Sequence, residues 1–189
     1  MTPVERYPVR TRILHWLTAA LVFTALFVGF VMVNSLGGYG TLVGLHMTLG
    51  VIILLVVVIR AANRFTHRTP PLPETVGSIE HGLVIGSEIG LYALMLAQPL
   101  VGWAMVSAGG RPVVVFGSLA LPRIAPFDAD LYFVLRQAHS VLAYLLVAAI
   151  AAHVSAVLLH TLTLRDRMLS RMLFGRRSAA EPNTARGKG

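Results

Sequence analysis

Seven histidines carry most of the chemical potential of this chain, and five of them, His15, His46, His139, His153 and His160, fall within or at the edges of long apolar runs. A polar ring in such a run is costly and generally marks a function. One alone could be a hydrogen-bonded packing residue; five ask for a common explanation. Neutral imidazole is above all a metal ligand and a proton carrier. There is no cysteine, which excludes structural disulfides, thiolate-held metals, iron–sulfur clusters and covalently attached c-type haem. Any bound metal must rely on His, Met or oxygen donors.

The spacing of the histidines narrows the chemistry. His139 and His153 are 14 residues apart, close to four helical turns, so both project from one helix face about 21 Å apart along its axis. His15 lies near the start of the first apolar run and His46 near the start of the second. Successive membrane helices run in opposite directions, so these two sit at opposite depths. The depths match in pairs, His15 with His153 and His46 with His139. Two imidazoles on facing helices can close the axial positions of a haem, and the arrangement predicts two bis-His b haems stacked across a bilayer. Zinc is the competing metal, but it wants about four ligands at one site, whereas these come as two separated pairs.

The elements that must position them are legible as well. Apolar stretches at roughly 13–33, 41–59, 83–106 and 138–162 each approach the ~20 residues that cross a hydrocarbon core about 30 Å thick. Hydrophobic residues make up 56% of the 189 positions and mean hydropathy is +0.72, so membrane lipid is the natural solvent. In lipid only helices and closed barrels satisfy the backbone, and continuous rather than alternating apolar runs select helices. The predicted fold is all-α, an integral membrane four-helix bundle with haems between the helices. Short connections at 34–40 and 66–82 make residues 1–177 one domain. Residues 178–189 lack any apolar run and are expected to form a disordered tail. The first run follows Arg6, Arg10 and Arg12 but is too long for a signal-peptide core and no A-x-A site follows it, so it should stay uncleaved.

The net charge of +8 does not point to nucleic acid, because the basic residues flank apolar runs. Of 16 Lys and Arg, 13 lie in the N-terminus, the 60–82 segment and the tail after Leu164; the other three are Arg111, Arg123 and Arg136. Cytoplasmic loops carry the basic excess, so both termini are expected on the cytoplasmic side of a bacterial inner membrane. Arg60, 14 residues after His46, could meet a haem propionate or act as an ordinary interfacial anchor. His160, seven residues after His153, could bond a quinone carbonyl or a propionate, with Arg10, Arg12 and Arg60 as neighbours, or sit in interfacial water. Glycines 29, 44, 50, 90 and 102 could admit a macrocycle or merely a neighbouring helix. Trp16 and Trp103 suit either an interface or a haem's surroundings, while Met32, Met47, Met95 and Met105 read as packing.

Several landmarks together resemble the bacterial cytochrome b561 family: Leu14-His15-Trp16-Leu17, Gly44-Leu45-His46, Leu91-Tyr92 through Pro99-Leu100-Val101-Gly102-Trp103, Gly110-Arg111-Pro112 with Phe116-Gly117, and the His139/His153 pair. The likeness covers approximately residues 5–175. It implies four helices and two haem b groups, with His15 and His153 on the cytoplasmic one and His46 and His139 on the outer one, the same pairing that depth gives. Members of that family often have a His about four residues before the third-span tyrosine, where this chain has Glu88. Glu88 is the single acidic residue within an apolar run, and a protonated carboxyl, a pair with Arg60 or Arg64, and a proton route all remain open for it.

The resemblance implies an oxidoreductase that takes electrons from an outer-face donor, superoxide being the leading candidate, and passes them to ubiquinone. Arg111 would lie beside the outer haem and, with Arg123 and Arg136, could attract a small anion, partly offset by Asp128 and Asp130. The alternative is a haem-bearing anchor that relays electrons for a partner oxidoreductase subunit. A haem-free channel or transporter is the third class, and the sequence presents no broken-helix ion site for one.

Overall fold

The computed structural model describes residues 6–34, 37–66, 77–163 and 168–173; the tail expected from 178 onward, and most of the 66–82 connection, lie outside them. Four long helices dominate: α1 (Val9–Asn34), α2 (Tyr39–Thr66), α3 (Ser78–Ala108) and α4 (Ala129–Leu162). All four are long and apolar enough to span a membrane. Their polar side chains are largely satisfied within the helix, as lipid requires: Thr18 Oγ1 donates to the Leu14 carbonyl at 2.6 Å, Thr24 to Ala20 at 2.8 Å and Thr48 to Gly44 at 2.9 Å.

The helices outrun the apolar stretches at several ends. Most notably α4 begins at Ala129, nine positions before the start of the apolar run at 138. Asp128 explains the early start, because its carboxylate accepts from the Leu131 amide at 2.8 Å and so satisfies one of the otherwise unpaired donors of the first turn. Two elements have no counterpart in the apolar pattern. A small antiparallel hairpin pairs β1 (Val114–Val115) with β2 (Leu119–Ala120), and a short helix, α5 (Met168–Met172), follows α4.

Each buried stripe follows helical periodicity. In α1 it runs Thr18, Val22, Ala25, Val28, and in α2 Leu49, Ile53, Val57; these join Met95 of α3 and Leu146 of α4 in one core. Along the chain α1 packs on α2, α2 on α3 and α3 on α4, and α4 does not pack closely along α1 or α2. Leu146 is the one buried residue in the described part of α4. Apolar side chains such as Phe23, Phe27 and Phe30 of α1 and Tyr144 and Leu159 of α4 are exposed, as an outer surface facing hydrocarbon should be.

The two ends of the bundle are built differently. At one end the hairpin and the segment after it are pinned to two helices, α2 and α3: the Phe116 amide donates to Thr48 Oγ1 at 3.2 Å, Trp103 Nε1 to the Pro122 carbonyl at 2.9 Å, and the Ile124 amide to Ser107 Oγ at 3.2 Å. Phe116 has φ 51°, a left-handed conformation that side chains seldom adopt, and the tie to Thr48 holds it there. At the other end, three successive carbonyls at the end of α5 and just after it receive donors from α1 and the residues before it: the Tyr7 amide on Arg171 at 3.2 Å, Trp16 Nε1 on Met172 at 3.1 Å and Arg12 Nη1 on Leu173 at 2.9 Å. These carbonyls would otherwise be unpaired at a helix C-terminus. We refer to these as the hairpin end and the terminal end.

Candidate haem sites between the helices

At the hairpin end the structure brings His46 of α2 and His139 of α4 together, with ring centroids 6.2 Å apart and planes at 81°. Imidazole–metal bonds of about 2.0–2.1 Å place the ring centres of two opposed ligands about 6 Å apart, so the spacing suits a single ion between them. Each ring backs onto a glycine of its neighbouring helix. A Cβ at Gly29 would lie 3.3 Å from His46 Cε1, and one at Gly102 only 3.0 Å from His139 Cε1 and 3.2 Å from its Nδ1. The remaining glycines singled out from the sequence have no such role: Gly44 and Gly90 meet nothing within 4 Å, and Gly50 faces Pro99 at 3.9 Å.

This glycine contact recurs between the two helix pairs. His46 Nδ1 approaches the Ala25 carbonyl and His139 approaches the Gln98 backbone, in each case one turn before the glycine. Neither Nδ1 completes a hydrogen bond. A buried ring nitrogen facing a carbonyl in this way favours the tautomer that leaves Nε2 for a metal. Gln98 was not apparent as a site residue. Its Nε2 donates to the His139 carbonyl oxygen at 3.1 Å and lies 3.3 Å from His139 Nε2, while its Oε1 is buried without a partner.

At the terminal end His15 and His153 lie within electrostatic reach of one another, with Arg60 in reach of both. Arg60 faces the histidine pair at this end. Its Nη2 is 3.1 Å from His15 Nδ1, and its guanidinium lies over the Tyr92 ring, 5.1 Å from the centroid. Trp16 stands edge-on to His15 at 5.4 Å. It is therefore both a neighbour of that imidazole and, through Met172, an anchor to α5.

Glu88 pairs with Arg64, Nε to Oε1 at 2.8 Å and Nη2 to Oε2 at 3.3 Å, which selects one of the alternatives the sequence left open. Tyr7 lies within reach of this pair, and burial pushes its phenol above the usual value. His160 is half-buried in the last turn of α4. Arg111, Arg123 and Arg136 are exposed toward the hairpin end.

Among the described residues no three potential His, Cys, Asp or Glu ligands converge; the donors come in pairs of nitrogens, a set suited to axial ligation of haem iron. The prokaryotic cytochrome b561 family model matches residues 6–175. The chain belongs to that family. Within the range of its relatives, this cytochrome b561 is 30% identical over 174 residues to cytochrome b561 homolog 2 of Escherichia coli (strain K12), covering 89% of the chain and 92% of that protein. It is also 30% identical over 129 residues to the probable superoxide oxidase CybB of Yersinia pestis, covering 68% of the chain and 73% of that protein. As a cytochrome b561 it is a multi-pass membrane protein that binds haem b and transfers electrons. A Cβ at Gly102 would press on the His139 ring, which would have to give by a few tenths of an ångström.

Gly102→Ala is therefore expected to displace the His139 ring and weaken haem retention by about 10–100-fold, the usual cost of disturbing a ligand's supporting contacts. Gly90→Ala, which meets nothing, should leave the haem-to-protein ratio unchanged. Equal haem content in both variants would show that the glycine contact does not position the ligand.

Proposed function

We propose that this cytochrome holds two haem b groups, one on His46 and His139 and one on His15 and His153, and moves single electrons from superoxide at the hairpin end to ubiquinone at the terminal end. The observation that carries this reading is the presence of two imidazole pairs at opposite ends of one bundle, His139 and His153 being 14 residues apart on the shared helix α4. The name of the Yersinia relative supports superoxide as donor. Bound haem b supplies a one-electron centre at each depth. Two superoxide anions give up one electron each and leave as two O2, while ubiquinone takes two electrons and two protons to become the quinol.

The residues divide this task. His46 and His139 fix the outer group with Gly29 and Gly102 behind them, and the hairpin, held on Thr48, Trp103 and Ser107, covers that end. The exposed guanidinium groups of Arg111 and Arg123 attract a small anion to it. At the terminal end His160 donates to a quinone carbonyl at the lipid boundary. The 13 basic residues flanking that end favour its placement in the bacterial cytoplasm.

Superoxide should reduce the purified protein faster than free haem, and the rate should fall as salt rises or when Arg111 and Arg123 are replaced by Gln, because exposed charges are screened beyond about 8–10 Å. Removing quinone should leave this initial reduction intact and abolish turnover. Reduction no faster than free haem would favour the alternative role, a relay subunit serving a partner oxidoreductase.

A reporter fused to the C-terminus should be active only when its function requires the cytoplasm. Activity confined to the outer side would reverse the orientation and exchange the faces assigned to donor and acceptor.

A further inference from the structure

The two histidine pairs lie in different electrostatic surroundings. At the hairpin end the influences on His46 and His139 are burial, each other and the backbone near Ala25 and Gln98; among the described residues no charged side chain acts on either ring. At the terminal end Arg60 sits 3.1 Å from His15 Nδ1 and within reach of His153. The guanidinium keeps its charge at any ordinary pH and, unlike a backbone carbonyl, offers the His15 nitrogen no acceptor. The neighbouring cation, Arg64, is neutralised by its two-point contact with Glu88. Among the described residues Arg60 meets no carboxylate; its contacts are the His15 nitrogen and the Tyr92 ring.

We propose that Arg60 sets the direction of electron flow by making the His15/His153 side the preferred seat of an electron. Accepting an electron lowers the positive charge of a site, so a fixed cation beside it stabilises the reduced form, and the more so in a medium of low dielectric constant. The carbonyls behind His46 and His139 act in the opposite sense. A ligand imidazole whose second nitrogen faces an acceptor is more basic and favours the oxidised form of the iron it binds. The bundle thus carries an electron-donating pair at one end and a pair facing a cation at the other. One electron shared between the two sites is drawn from the hairpin end toward the terminal end, the former being oxidised as the latter is reduced, with no further reactant.

This inference rests on the two-haem part of the proposed function and is independent of the identity of donor and acceptor. It is tested by potentiometric titration of the intact, haem-loaded protein, followed through its visible spectrum. The wild type should titrate as two components. Arg60→Gln should lower the higher-potential component by at least about tenfold in its reduction equilibrium, 59 mV for one electron, and leave the lower one in place. Arg60→Lys, which retains the charge, should keep the wild-type separation. Glu88→Gln, which unmasks the charge of Arg64, should raise the same component. If Arg60→Gln fails to assemble, the Lys and Glu88 variants still decide: a collapsed separation in the first, or no upward shift in the second, overturns the proposal. So does an Arg60→Gln protein whose two components are unmoved or shift together. A wild type with a single haem component would instead defeat the two-haem reading itself.

Discussion

An imidazole placed in a lipid-embedded helix has no water to satisfy its two ring nitrogens, and the bundle is organised around that demand. His15, His46, His139 and His153 all lie on the stripes that face the interior. In α2 the stripe continues from His46 through Leu49, Ile53 and Val57 to Arg60, and in α4 the spacing of seven runs His139, Leu146, His153, His160. Apolar residues fill the middle of each stripe and polar ones occupy its ends. The helix that carries two of the four histidines, α4, is held along its length by α3 and does not pack closely along α1 or α2. At the hairpin end His46 of α2 and His139 of α4 approach one another.

The ring nitrogens face different groups at the two ends, and the proposed direction of electron flow rests on that difference. Behind His46 and His139 a glycine in the neighbouring helix lets the ring come near a backbone carbonyl one turn earlier. An alanine at Gly102 would press on the His139 ring. Behind His15 stands a guanidinium, itself positioned over Tyr92. The hairpin and α5 close the corresponding ends by donating to, or accepting from, groups that the helices leave unpaired. Trp16 links closure to site directly, since the ring that touches His15 also donates to Met172.

The apolar runs made the four spans and the pairing of histidine depths legible, because hydrophobic length and the 3.6-residue period are local properties. The neighbours of the rings were not. Gln98 could have been suspected, as an amide within the third apolar run just before Pro99, but its contact with His139 depends on how α3 meets α4. Arg60 shows the same limit. Its helix face is fixed by its 14-residue spacing from His46, yet its partner is His15 on α1. Glu88 could be assigned to Arg64 only once α2 and α3 were placed side by side. The early start of α4 was hidden because an N-cap by Asp128 depends on a single local hydrogen bond rather than on hydropathy. Membership of the cytochrome b561 family supports haem b as the cofactor independently of periodicity and packing.

The central claim is that four histidines make two separate haem sites at two depths. It is tested most directly by visible and electron paramagnetic resonance spectra of purified His139→Ala and His153→Ala proteins. Each substitution removes one axial ligand from one site only, so each variant should lose a different spectral component, with His46→Ala matching the first and His15→Ala the second. Loss of the same component from His139→Ala and His153→Ala, or from His15→Ala and His46→Ala, would contradict the pairing on which the account is built.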